Sequence, residues 1–91
     1  MLLRWTESAS ADLEQISDYL FVHTPLHATR LTQTIYHAPE ILLRLPLIGR
    51  LGRMHGTRDL PMTPLPWVLV SVVGDDSIDV IRVLHGAQRW P

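Results

Sequence analysis

Ninety-one residues, 46% of them apolar, with a net charge of −1 and no cysteine, fit one folded domain over 1–91 with a modest core. That composition excludes a disordered tail, a disulfide frame and a thiolate metal site. No charged segment leads into an apolar one as in a signal peptide, and no apolar run approaches the roughly 18 residues of a membrane span, so a cytoplasmic chain that meets no membrane is expected.

"MLLRW" at 1–5 reads as a first strand. In "TESASADLEQISDYLF" the period changes: Ala9, Leu13, Ile16 and Leu20 recur at steps of 4, 3 and 4, one face of an amphipathic helix. Ser8 is the expected N-cap, with Asp12 and Glu14 near the positive end of the helix. Pro25 is expected to open a second helix, whose stripe is Ala28, Leu31, Ile35, Ala38, Leu42 and Leu45. Pro39 falls inside that stripe. It has no N–H and its ring crowds the carbonyl of Ile35, so a kink is predicted there, with Pro46 and Gly49 ending the helix. Three strands follow: "GTRDLPM" (56–62), "WVLVSVV" (67–73) and "IDVIRVLHG" (78–86). The middle one is almost wholly apolar, which predicts a central strand covered on both faces. The fold class is α+β: an N-terminal strand and a two-helix hairpin on one face of a small antiparallel sheet.

Charge is divided unevenly along the chain. Residues 1–43 carry Arg4 and Arg30 against Glu7, Asp12, Glu14, Asp18 and Glu40, net −3; residues 44–91 carry six arginines against Asp59, Asp75, Asp76 and Asp79, net +2. All eight basic residues other than histidine are arginine, a bias that a GC-rich genome supplies by itself. The stretch from Arg44 to Arg58 contains Arg50 and Arg53 and no acid. Arginine's planar fork suits carboxylate or phosphate partners. A domain with pI near 6.5 is not built for direct tight DNA binding by this chain alone. Arg50, Arg53 and Arg58 are therefore read either as solvated charge or as a surface for an acidic protein. Arg58 shares a strand face with Leu60 and Met62, so a half-buried stem and a carboxylate partner are expected, with Asp12, Glu14 or Asp18 as intramolecular candidates. None of the five histidines has metal-ligand spacing; His23 and His27 are separated by Pro25, and no metal or cofactor is expected.

The element order, together with "ADLEQISDYL", "LLRLPLIGRLGRMHGTRDLP" and "VIRVLHGAQRWP", resembles the RelE/ParE superfamily of bacterial toxins from type II toxin–antitoxin modules, over nearly the whole chain. The resemblance implies an antitoxin encoded beside the toxin. It also implies one of two targets: RelE-like members cut mRNA in the ribosome, whereas ParE-like members poison DNA gyrase and hydrolyse nothing. RelE-like toxins place an arginine after the aromatic residue that opens the central strand. Here the pair is Trp67–Val68, which favours the ParE-like branch, because metal-free RNA cleavage needs a base, an acid and a cation at the phosphate. A catalytic set is therefore not assigned. If the chain is a ribonuclease, His85, Arg82 and Arg58 are the candidates. Strict strand alternation puts Ile78, Val80, Arg82 and Leu84 on one face and Asp79, Ile81, Val83 and His85 on the other, which separates Arg82 from His85 unless a bulge near Gly86 intervenes. Otherwise His85 is a strand-end side chain held by a backbone carbonyl. Arg82, Arg89 and Trp90 join Arg50, Arg53 and Arg58 as residues for a partner or target, Trp90 reading equally as a cap on the core. A toxin fold that has lost its toxicity is the third possibility.

Overall fold

A computed structural model describes residues 1–88. Among the described residues the order is β1 (Leu2–Trp5), α1 (Glu7–His23), α2 (Ala28–His37), a 3-10 helix (Ala38–Leu43), β2 (Arg50–Leu51), β3 (Arg58–Pro61), β4 (Trp67–Val73) and β5 (Ser77–His85). The strands form one sheet in the order β1-β5-β4-β3-β2. The expected meander is β3-β4-β5, and 67–73 is the central strand. The sheet is mixed, however, because β1 runs parallel to β5, with Leu2 beside Ser77 and Trp5 beside Val80. A parallel partner requires a crossover, and α1 and α2 provide it by packing against the sheet. In that register Arg4 faces Asp79 and donates from Nε and Nη2 at 2.9 and 3.1 Å. Those hydrogen bonds hold the Asp79 carboxyl below its ordinary value.

The core lies between the helices and the sheet. Ala9, Ile16 and Leu20 of α1, Ala28 and Ile35 of α2 and Leu42 of the 3-10 helix meet Trp67 and Leu69 of β4 and Ile78, Val80 and Val83 of β5. Both apolar stripes therefore face inward. The second helix differs from expectation at each end. It starts at Ala28, after a turn through Pro25, and its α-helical part stops at His37. Pro39 cannot donate to Ile35, and the backbone tightens into a 3-10 helix in place of a kinked α-helix. That change of period keeps Leu42 in the core and leaves Leu45 exposed.

The N-cap of α1 is Thr6, not Ser8. Thr6 Oγ1 accepts from the Ala9 N–H at 3.2 Å and donates toward the carbonyls of Val80 and Ile81, also at 3.2 Å. Ser8 has no such tertiary partners, so β5 decides the cap. Thr6→Ala should cost about 1–2 kcal/mol, read as a lower urea midpoint with unchanged slope.

One irregularity reshapes the end of the sheet that carries Arg82 and His85. Val70 pairs with Arg82 but Ser71 pairs with Val80, so Ile81 is an extra residue in β5. The faces predicted by strict alternation are therefore wrong across Ile81: Ile78, Val80 and Val83 all belong to the core. On the face away from the helices, Val70 and Leu84 are also buried, so β4 is covered on both sides at its centre.

Candidate functional site

β1 ends beside Val80, so from Ile81 onward β5 has a strand neighbour only on its β4 side and its other edge is open. The first turns of α1 cover that open edge. Asp12 Oδ2 accepts the Val83 N–H at 2.9 Å and Arg82 Nε at 2.7 Å, while Oδ1 accepts Arg82 Nη2 at 3.1 Å. The side chains of Asp12 and Arg82 are only 13% and 28% exposed. This fork-to-carboxylate geometry is the strong kind of ion pair. The Asp12 hydrogen bonds raise the Arg82 guanidinium above its ordinary value, against the opposing effect of burial. Asp12 is therefore the partner of Arg82 and not of Arg58. The half-buried Arg58 donates to the carbonyl of Gly49 at 3.3 Å instead.

Asp12, Arg82 and His85 line a cleft of about 310 Å³, with Ile16, Tyr19 and Trp67 among its other walls. Arg82 lies opposite Val70 and His85 opposite Trp67, so the two leave the strand on different faces, as alternation requires. They nevertheless meet in one cleft, because Arg82 reaches Asp12 over the free edge of β5. No bulge at Gly86 is needed. His85 is held at Nδ1 by the Ala87 N–H, 3.1 Å away. That partner is a backbone amide rather than the carbonyl expected. It assigns the proton of the neutral ring to Nε2.

The arginine segment occupies the opposite edge of the sheet. Gly56 sits at φ 83°, and a Cβ at Gly52 would run into Thr57 Oγ1, so both glycines are required by the shape of this loop. Thr57 Oγ1 ties the loop to the Met54 carbonyl at 2.7 Å. Arg50 and Arg53 are exposed at their residues, and with Val68, Val70, Leu84 and Asp59 they border a small cavity behind the sheet. Sequence reasoning passed over Asp59. It is 4% exposed and its Oδ1 has no hydrogen-bond partner among the described residues. The signal was present in the sequence: an acid directly after Arg58 in a strand bordered by arginines. Arg89 and Trp90 lie outside the described residues. Arg50, Arg53 and Arg58 thus gather at the β2–β3 edge and Arg82 belongs to the cleft beside α1, while His85 lines both that cleft and the small cavity bordered by Arg50 and Arg53.

Residues 3–90 match the family described as ParE toxin of type II toxin-antitoxin system, parDE. The chain is similar to the toxin-family protein Y4kP of Sinorhizobium fredii, 32% identical over 98% of this chain and 92% of that protein. It is also similar to Toxin RelE2 of Caulobacter vibrioides, 34% identical over 92% and 93%. Among solved structures, a chain of the chromosomal ParDE TA system from P. aeruginosa superposes with a TM-score of 0.85 at 28% identity, covering 93% of this chain and 95% of that one. The YoeB/ParE toxin from Agrobacterium tumefaciens shares the fold, with a TM-score of 0.64 at 22% identity over 93% and 98%. Helical hairpin, mixed sheet and sequence agree: the chain belongs to the ParE toxin family of type II toxin–antitoxin systems, within the RelE/ParE superfamily.

Proposed function

We propose that the protein acts in the cytoplasm by binding DNA gyrase and blocking it without hydrolysis, and that a cognate antitoxin neutralises it. The observation that carries this reading is the commitment of Arg82 to Asp12 beside His85. A phosphodiester cleaved without metal needs a cation to meet the charge that develops on phosphate. The guanidinium in the cleft already faces a carboxylate, and the position after Trp67 is a valine. Arg50, Arg53 and Arg58 offer the antitoxin a cationic surface, and Arg82, Arg89 and Trp90 lie toward the end of the chain that would meet gyrase. The single domain of 1–91 carries all of these groups.

A second reading, ribosome-dependent cleavage of mRNA, is favoured by the surroundings of His85, which shares one cleft with Arg82 and a small cavity with Arg50 and Arg53. Expression without antitoxin separates the readings. Gyrase poisoning predicts growth arrest with a DNA damage response and intact transcripts. Codon-phased transcript breaks that vanish with His85→Ala would contradict it, and normal growth would mark a fold without toxicity.

A further inference from the structure

The cleft beside α1 has two walls that the fold brings together. Gln15, Ile16 and Tyr19 follow Asp12 by 3, 4 and 7 positions and so share one face of α1. The other wall is the paired ends of β4 and β5, with Trp67, Arg82 and His85. The volume of about 310 Å³ lies at the small end of the range for ligand cavities and suits one or two fused rings.

Charge, shape and hydrogen bonding each narrow the choice of ligand. Asp12 and Arg82 meet fork to carboxylate, so the charges in the wall cancel and a neutral ligand is favoured over an ion. Tyr19 is 55% exposed, its ring tilted against His23 with centroids 4.3 Å apart. Across the cleft the largely buried Trp67 lies edge-on to His85, at 6.4 Å and 85°. Aromatic groups on both walls favour a flat ring over an aliphatic chain. The side-chain amide of Gln15 makes no hydrogen bond among the described residues. A primary amide presents a donor and an acceptor side by side, and its complement is a ring edge with N–H and carbonyl adjacent.

We propose that this cleft binds a small, neutral, planar lactam of one or two fused rings. The ring N–H donates to Gln15 Oε1, the ring carbonyl accepts from Gln15 Nε2, and the rings lie between Tyr19 and the Trp67–His85 pair. The same edge occurs on uracil and guanine within RNA, but the matched charges of the cleft offer nothing to a phosphate chain, so the free ring is the occupant. Inhibition of gyrase neither requires this site nor excludes it.

The probe is isoquinolin-1-one, titrated into the full chain and followed by NMR of backbone and side-chain N–H groups. Saturable shifts at the Gln15 amide and the Trp67 indole, with a dissociation constant below about 1 mM, are expected. The N-methyl derivative keeps the rings but loses the donor, and should bind the unaltered protein about tenfold or more weakly, where folding of a variant is not in question. Gln15→Leu, at an exposed helix position, should weaken isoquinolin-1-one as much. Tyr19→Ala should weaken it several-fold and Tyr19→Phe hardly at all. Hexauridylate should bind no more tightly than the single ring system. Binding indifferent to N-methylation and to Gln15→Leu would mean unspecific apolar trapping and overturn the proposal. So would the absence of saturable shifts at the cleft. Hexauridylate binding at the cleft more tightly than isoquinolin-1-one would give the site to RNA and likewise overturn it.

Discussion

Asp12→Ala lowers stability by about 2–3 kcal/mol and the melting temperature by roughly 10–20 °C. The carboxylate accepts three hydrogen bonds, two from Arg82 and one from Val83. Its removal takes away the carboxylate that accepts from a largely buried guanidinium and strips an edge N–H of its acceptor. An exposed ion pair would be worth only about 0–1 kcal/mol, so the size of the effect measures how far the pair is withdrawn from water. Differential scanning calorimetry of Asp12→Ala against Asp12→Leu/Arg82→Met reads the difference. The double variant should recover much of the loss, because a matched apolar pair needs no counter-charge. A loss below about 0.5 kcal/mol in Asp12→Ala would show that solvent replaces Asp12 without penalty.

Leu42→Ala is expected to cost about 2–5 kcal/mol, from lost burial plus the cavity left behind. Leu42 is fully buried in the core between helices and sheet although it sits on a six-residue 3-10 helix. In a chain whose total stability is about 5–15 kcal/mol, that is a large fraction. Leu43→Ala, one residue on and exposed, should stay within about 0.5 kcal/mol. Equal losses at 42 and 43 would mean that the 3-10 segment does not hold the phase described. Urea denaturation with a common slope compares the two directly.

These two residues also show what the sequence revealed and what it concealed. Leu42 was legible, since the stripe from Ala28 keeps its phase through Pro39 and burial follows phase. The manner of continuation was not, because a proline announces a missing donor without saying whether the backbone kinks or tightens. The Asp12–Arg82 pair was illegible: 70 positions separate its members, and nothing local marks Asp12 as different from Glu14. The residues named as carboxylates for Arg58 did include the right acid, but for the wrong arginine. Ile81 gave no warning of the extra residue in β5, since a bulge at an isoleucine has neither glycine nor proline to signal it. Every face assigned beyond that point inverted. The N-cap moved from Ser8 to Thr6 for a similar reason, as both side chains suit a cap and only the carbonyls of Val80 and Ile81 separate them. The β2 edge escaped notice because two residues are too few to show alternation. The arginines around it were visible from composition alone.

The functional division drawn from Trp67–Val68 rests on chemistry rather than on fold, since both branches share the helical hairpin and sheet. Val68, Val70 and Leu84 border the cavity behind the sheet together with Arg50, Arg53 and Asp59. His85, held by the Ala87 amide, lines that cavity as well.

The central claim is that the protein inhibits by binding and uses no imidazole chemistry. The most direct measurement is DNA supercoiling by purified gyrase with the purified chain added, unaltered or as His85→Ala. Equal inhibition by the two proteins, with added mRNA left intact on translating ribosomes, is the predicted result. Undiminished supercoiling, together with mRNA cleavage that His85→Ala abolishes, would contradict it.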